Sequence, residues 1–159
     1  MSPQDMKITL NPAEEMIQVG AIGIRFLVTG ADCNGSAALF EVAIPAVTGI
    51  PGPFHRHDAF EETIYGLEGT STWIVNGEAI EIGPGQALSI PRGVVHGFVN
   101  HGVRDARVLA VVSPGVLGPA YFREVAAVIA AAAGGPPDRT EMMAVMQRHG
   151  LTPAPPPSA

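Results

Sequence analysis

The chain has 159 residues, of which 47% are hydrophobic and 15% charged, and its formal net charge is −6 at pH 7. This length and composition predict one compact domain and exclude a disordered chain. An acidic chain without a basic stripe is not expected to bind nucleic acid. A single cysteine, Cys33, excludes an intramolecular disulfide and a thiolate zinc site.

Neither a secretion signal nor a membrane span is predicted. The N-terminal sequence MSPQDMKITLNPAEE lacks the basic start and apolar stretch of a signal peptide. The most apolar stretch, VAAVIAAAAGG, is too short to cross a bilayer. We therefore expect a soluble cytoplasmic protein with no membrane partner.

Residues 1–36 are expected to form an N-terminal arm followed by the first strands. A short strand is predicted at 7–10, and residues 16–29 resemble a pair of strands with a turn near Gly20. The next strand is predicted at 37–44, where apolar residues alternate around Glu41.

Residues 37–115 are expected to form the core of a β-barrel. Asn76-Gly77 is the dipeptide most typical of a tight hairpin, and glycines and prolines separate the other apolar segments. Short strands at regular spacing indicate an all-β jelly roll. The strands are predicted at 61–67, 70–75, 79–82, 87–90, 94–99 and 106–112.

Two short helices are predicted in residues 116–150. Pro119 suits the first position of a helix that continues to Ala133, and Asp138 with Glu141 resembles a capping box that begins a second helix ending near Gly150. Helical spacing predicts the buried faces. The predicted buried residues are Phe122, Val125, Ala126 and Ile129 in the first helix and Met142, Val145 and Met146 in the second. The tail, residues 151–159, is predicted to be disordered.

Four potential metal ligands lie in the barrel segment. Residues two apart on a strand share a face, so His55 and His57 are expected to point the same way. Glu62 enters from the next predicted strand, and His96 comes later in the chain. Two histidines and a carboxylate with open coordination positions are typical of non-haem iron oxygenases, and His96 makes the set three histidines and one glutamate.

The spacing around these ligands resembles the first cupin motif. Gly49 is followed after five residues by His55, then by His57, by Glu62 after four more residues, and by Gly69 after a further six.

The later segment is similar to the second cupin motif. Gly85 is followed after five residues by Pro91, then by Gly93, by His96 after two more residues, and by Asn100 after a further three. The gap of residues 70–84 has the length seen in single-domain bacterial cupins of the Cupin_2 type. More loosely, ARVLAVVSPG and the tail with its GGPP and RHG resemble quercetin-dioxygenase-like cupins.

The resemblance implies a cupin double-stranded β-helix, a jelly-roll barrel, with the two helices appended at its C-terminal end. Such proteins commonly oxidise or cleave aromatic or enolic substrates with dioxygen, whereas others isomerise substrates and some show no turnover. The expected ligands are His55, His57, Glu62 and His96, holding one divalent ion per chain. The ligand set suits iron, manganese, nickel or cobalt, and zinc and copper are also compatible.

Period-two alternation also suggests which residues line a substrate pocket. Ile64 and Gly66 share a face with Glu62, and Phe98 shares one with His96. Gly66 is expected either to leave space beside the metal or to mark a β-bulge. Trp73 and Arg92 are further candidates, the former as core or cavity wall and the latter as an ion-pair or anion-binding residue. Glu62 is expected to act as a ligand alone or also as a catalytic base.

The leading functional hypothesis is a mononuclear metal-dependent oxygenase for a small aromatic or enolic substrate. The alternatives are a non-catalytic small-molecule-binding cupin and an oxygen-independent metal-dependent isomerase or cyclase. Fold-level analogy, an apolar outer sheet face and the N-terminal arm suggest a homodimer.

Overall fold

The structure is a computed structural model that describes residues 8–12, 14–49 and 53–155. Within these ranges the chain forms strands, two helices and one short 3₁₀ turn, Gly30–Asp32. The strands are β1 (Ile17–Val19), β2 (Ile22–Val28), β3 (Ala38–Ile44), β4 (His55–His57), β5 (Glu61–Glu68), β6 (Ser71–Val75), β7 (Glu78–Ile82), β8 (Ala87–Ile90), β9 (His96–Val99), β10 (Ala106–Ser113) and β11 (Leu151–Pro153). The helices are α1 (Pro119–Ala131) and α2 (Arg139–Arg148).

The strands form two antiparallel sheets with one hydrophobic core. The six-stranded sheet has the order β1-β2-β3-β10-β5-β8, and the five-stranded sheet has the order β11-β4-β9-β6-β7. Phe40 and Val108 from the first sheet share the core with Trp73 from the second. The structure therefore confirms the predicted all-β jelly-roll barrel with two C-terminal helices.

Alternation along the central strands explains how the barrel buries one face of each sheet. Successive residues of β3 and β10 alternate between buried and half-buried, as a half-buried strand requires. Asn76 and Gly77 both have positive φ, 49° and 84°, which is the conformation of a type I′ turn. The turn joins β6 to β7, so the predicted hairpin is confirmed.

Both helices begin where the sequence indicates. Pro119 is the first residue of α1, and the Asp138 carboxylate accepts a hydrogen bond from the backbone N–H of Glu141 at 2.8 Å at the start of α2. Gly150 has φ +82° just beyond α2, a conformation that favours glycine. Neither helix among the described residues combines the length and apolarity needed to cross a bilayer.

The predicted buried face is confirmed for α2 and shifted for α1. Met142, Val145 and Met146 are buried. In α1 the buried residues are Tyr121, Val125 and Val128, whereas Phe122, Ala126 and Ile129 are only partly buried. Because α1 is apolar around most of its circumference, helical spacing alone does not fix which stripe faces the core.

Two further predictions are corrected at the ends of the chain. Leu151–Pro153, assigned to the disordered tail, forms β11 and pairs with β4. This segment pairs with the edge of β4. The proline-rich sequence that follows it gives no sign of this pairing. Residues 8–10, part of a predicted strand at 7–10, form no strand, and Lys7 and residues 156–159 lie outside the described residues.

Candidate metal centre

Strand register brings the three histidines to one place. His55 and His96 lie directly opposite each other where β4 pairs with β9, and directly opposed residues on one face have neighbouring side chains. His57, two residues after His55, points to the same side. The local spacing and the strand pairing together produce the cluster.

The three imidazoles form a nearly equilateral triangle. Their ring centroids are 5.0 Å apart for His55 and His57, 4.7 Å for His55 and His96, and 4.8 Å for His57 and His96. One nitrogen from each ring lies within 4.8 Å of the other two. His57 and His96 are buried, and His55 is half-buried. Three imidazole nitrogens this close together, two of them on buried residues, suit a transition-metal ion.

Glu62, on β5, lies beside the three histidines. Its Oε2 lies 3.2 Å from His96 Nε2 and 3.9 Å from His57 Nδ1. The residue is 8% exposed, and a buried carboxylate needs a cation or donors around it. The structure thus brings together the four side chains predicted as ligands.

Hydrogen bonds to backbone carbonyls fix the protonation of two of the rings. His96 Nδ1 lies 2.9 Å from Val94 O, and His55 Nδ1 lies 3.1 Å from Pro53 O. A carbonyl oxygen only accepts, so each Nδ1 carries the proton and donates. Metal-binding histidines are commonly oriented in this way.

The contact between His96 and Glu62 tests whether a metal fits. With the proton on Nδ1, a neutral His96 presents the lone pair of Nε2 to a carboxylate oxygen 3.2 Å away. Two acceptors at this distance require a cation, which is either a second proton on His96 or a metal ion that both atoms bind. The donor set of imidazole and carboxylate fits such an ion.

Burial controls the charge of the cluster. It lowers the pKa of His55 to about 3, with further lowering from the charges of His96 and His57. It also lowers the pKa of His57 to about 4, although Glu62 opposes the change. Burial alone would lower the pKa of His96, but the hydrogen bond and charge of Glu62 raise it. Two rings are therefore neutral near pH 7, the state in which imidazole binds metal.

The Glu62 carboxyl remains ionised. Burial alone would raise its pKa, but the hydrogen bond with His96 and the charges of the three histidines lower it instead. An anionic oxygen thus lies beside His96 and His57, where it would balance part of the charge of a bound cation.

The cluster opens into a cavity of about 110 Å³ with mostly apolar walls. Trp73 and Phe98, two predicted pocket residues, lie on its lining and stack at 4.9 Å between ring centroids. They are cross-strand partners in β6 and β9. The remaining lining residues outside the metal cluster are Val19, Ile22, Ile24, Phe40, Val42, Pro53, Gly97, Leu117, Tyr121, Phe122, Val125, Met142, Met146 and Leu151.

Three other predicted pocket residues lie elsewhere. Ile64 is fully buried in the core and is not on the lining. At Gly66 a Cβ would overlap the carbonyl oxygen of Gly83, so this glycine allows a close backbone approach and leaves no space beside the metal site. The strand pairing shifts register next to Gly66, which agrees with the alternative of a β-bulge. Arg92 is half exposed, with its Nε 3.6 Å from Glu61 Oε1.

Two residues beside the site were missed by the sequence analysis. Phe60, which precedes the strand predicted at 61–67, is fully buried and stacks on His57 at 4.2 Å between ring centroids. Tyr121 in the first turn of α1 lies on the cavity lining. The alternative helical stripe Tyr121, Val125 and Val128 is visible in the sequence. It does not reveal that α1 lines the cavity that contains the metal cluster.

Comparison with protein families and curated proteins gives two matches within the barrel. Residues 44–112 match the model described as "Cupin domain". Over 69 residues the chain is 33% identical to quercetin 2,3-dioxygenase of Bacillus subtilis (strain 168), which covers 43% of this chain. The match spans only about a fifth of the length of that relative.

Solved structures give likenesses over more of the chain. The structure of KdgF from Halomonas sp. is 20% identical with a TM-score of 0.56, covering 64% of this chain and 86% of that one. The polyketide cyclase RemF from Streptomyces resistomycificus is 28% identical with a TM-score of 0.51, covering 75% of this chain and 86% of that one. The first likeness is one of fold, and the second extends beyond the segment matched by the family model.

Proposed function

We propose that this protein, whose residues 44–112 match the cupin domain model, is a mononuclear metal-dependent oxygenase acting on a small aromatic or enolic molecule. The observation that carries the proposal is the placement of three clustered histidines and Glu62 at one side of a cavity with mostly apolar walls. A redox-active metal such as iron, held at this site, would activate dioxygen at its open coordination positions.

The side chains of the cluster have distinct proposed roles. His55, His57 and His96 hold the ion through nitrogens that burial and backbone hydrogen bonds keep available. Glu62 supplies an anionic oxygen to the ion. Its ionised state at neutral pH also makes it the candidate acceptor for a proton from a substrate hydroxyl.

The lining supports an uncharged, largely apolar substrate. Outside the metal cluster, no side chain on the described lining carries a charge. A phosphate or carboxylate group would be buried there without a positively charged partner, which is costly. Flat rings suit a wall in which Trp73 and Phe98 are stacked.

The size of the cavity supports a small substrate. Its volume is about 110 Å³, which is the same order as the ~150 Å³ apolar cavity that holds one benzene molecule. We therefore propose a one-ring catechol or enol, or a larger molecule that inserts one ring. The name of the curated relative, a quercetin dioxygenase, supports a phenolic substrate class.

A second candidate is an oxygen-independent cyclase. The likeness to the polyketide cyclase RemF favours it because that match covers 75% of this chain, whereas the dioxygenase match covers 43%. In this case the metal cluster and Glu62 would polarise and deprotonate an enolisable substrate without dioxygen.

Oxygen uptake distinguishes the candidates. Metal-free protein is reconstituted separately with iron(II), manganese, cobalt and nickel, and mixed with catechols and cyclic β-diketones in an oxygen-electrode cell. The oxygenase proposal predicts substrate-dependent oxygen consumption that is absent from metal-free protein and from His96→Ala. Substrate conversion under nitrogen would instead support the cyclase, and stoichiometric binding without conversion would support a binding protein. If no metal binds, every one of these proposals fails.

We also propose a homodimer formed through the outer face of the six-stranded sheet. Leu39, Leu109 and Val111 point outward from β3 and β10 and are only half-buried in one chain. Neighbouring apolar side chains of this kind are stabilised when a second copy covers them. Sedimentation equilibrium of the wild type and Leu109→Glu tests the proposal: a dimer that the variant dissociates supports it, and a wild-type monomer overturns it.

A further inference from the structure

We propose that the hydroxyl of Tyr121 binds the substrate by donating a hydrogen bond to one of its oxygens. Tyr121 would then select a molecule with an oxygen that accepts a hydrogen bond. This inference rests on the proposed function, because it names a second contact of the same substrate in the same cavity.

The position of Tyr121 is fixed by packing around its ring. It lies in the first turn of α1, is 9% exposed, and lines the same cavity as the metal cluster. The ring makes edge contacts with Phe122 at 4.9 Å and with His149 at 5.6 Å between centroids. A ring held on two sides presents its hydroxyl in a defined direction.

The hydroxyl has no hydrogen-bond partner among the residues that the structure describes. The other polar group on the lining outside the metal cluster, Trp73 Nε1, donates to Ser71 Oγ at 3.0 Å. Among the described residues the one fully buried side-chain nitrogen or oxygen without a partner is Arg25 Nε, so the Tyr121 oxygen retains accessible surface. An unpartnered, accessible hydroxyl on the cavity lining is available to donate to a molecule that enters the cavity.

Electrostatics keep the hydroxyl protonated. Burial, and then the charge of Glu62, raises the pKa of Tyr121. At neutral pH the phenol therefore keeps its proton and is a donor. A donor facing a substrate oxygen stabilises the negative charge that appears there when the substrate loses a proton.

The test uses 4-nitrocatechol, whose visible absorption reports both binding and ionisation. The protein is loaded with zinc, which has no redox chemistry, so that the probe is not oxidised during the titration. The variant is Tyr121→Phe, and the matched control is Tyr65→Phe, since the chain has two tyrosines and Tyr65 is 42% exposed on the outside of β5. Imidazole, which has no oxygen, is titrated as the second probe, and thermal unfolding checks that the variants fold.

We expect Tyr121→Phe to weaken 4-nitrocatechol binding by about tenfold or more, as for other hydrogen bonds to charged groups. Ionisation of the bound probe should also move to higher pH, while imidazole affinity stays within about twofold. Tyr65→Phe should change none of these quantities. Because the ring is retained, a purely structural role for Tyr121 predicts no shift in the ionisation of the probe.

Three results would overturn the inference in distinguishable ways. Equal 4-nitrocatechol affinity in the wild type and Tyr121→Phe would show that Tyr121 donates no hydrogen bond to the probe. The oxygenase proposal would stand. An equal loss of affinity for both probes assigns Tyr121 a packing role. If wild-type zinc protein binds imidazole but no 4-nitrocatechol, the proposed substrate class fails and this inference fails with it.

Discussion

The two sides of the cavity differ in how the chain builds them and in what they contribute. On one side, β4, β5 and β9 present His55, His57, Glu62 and His96 at positions fixed by strand pairing. The C-terminal elements α1, α2 and β11, here called the helical side, contribute apolar side chains and Tyr121 to the same lining. The strand side carries the candidate metal ligands, and the helical side supplies part of the apolar wall.

This division limits what the barrel match says about the substrate. The family match ends at residue 112, whereas the helical side begins with Leu117 and continues through α1, α2 and β11. Proteins that share the barrel can therefore share a metal site without sharing a substrate. The two sides are nevertheless joined, because Leu151 of β11 pairs with His57 of β4.

Removal of a histidine should have the largest effect and tests the assignment of the strand side. His96→Ala removes a buried ligand, and we expect metal affinity to fall at least ~100-fold, since loss of supporting residues alone costs 10–100-fold. Metal content after dialysis measures the change. The control is His101→Ala, an exposed histidine in the following loop. Equal metal content in both variants would contradict the assignment.

A methyl group added at Gly66 should destabilise the strand side because it would overlap a neighbouring backbone atom. The new Cβ would overlap the carbonyl oxygen of Gly83, and we expect Gly66→Ala to lower the free energy of unfolding by about 2–4 kcal/mol. Urea denaturation of the metal-free protein measures it. Gly49→Ala is the control, because a Cβ there meets no atom within 4 Å, and a similar loss in both variants would refute the close approach.

Acidification should destabilise the metal-free protein. The pKa values of His55 and His57 are lowered to about 3 and about 4, so between pH 6.5 and about 4 the unfolded chain binds protons that the folded chain does not. Stability then falls as pH falls, by up to about 1.4 kcal/mol per pH unit for each histidine.

Urea denaturation at several pH values measures this slope. His57→Gln, which removes one titrating group, should reduce it. A stability that is constant between pH 6.5 and 4.5 would show that the two rings are not buried as neutral imidazoles.

Loss of the α2 cap should have the smallest effect and tests the helical side. Asp138→Ala removes the hydrogen bond to the N–H of Glu141, and we expect stability to fall by about 1 kcal/mol with metal affinity unchanged. Urea denaturation and metal titration measure the two quantities. The control is Thr140→Ala, an exposed position in the same turn. A large loss of metal affinity in Asp138→Ala would show that the two sides of the cavity are not separable.

The sequence by itself determined the local parts of the strand side, whereas strand pairing brought His96 and Glu62 to His55 and His57. Period-two spacing places His55 and His57 on one face, and turns such as Asn76-Gly77 require residues whose identity is visible in the chain. These are local constraints of backbone geometry. The start of α2 at Asp138 is equally local, because the cap is a contact within four residues.

Only the tertiary structure decided how the helical side meets the metal cluster. An almost uniformly apolar α1 has no single preferred face, so burial of Tyr121 rather than Phe122 depends on its packing against the barrel. The pairing of β11 with β4 and the overlap that Gly66 avoids likewise join residues distant in sequence. Local backbone geometry follows from residues that are close in the sequence. Which face of a helix is buried depends instead on the surface that the fold packs against it.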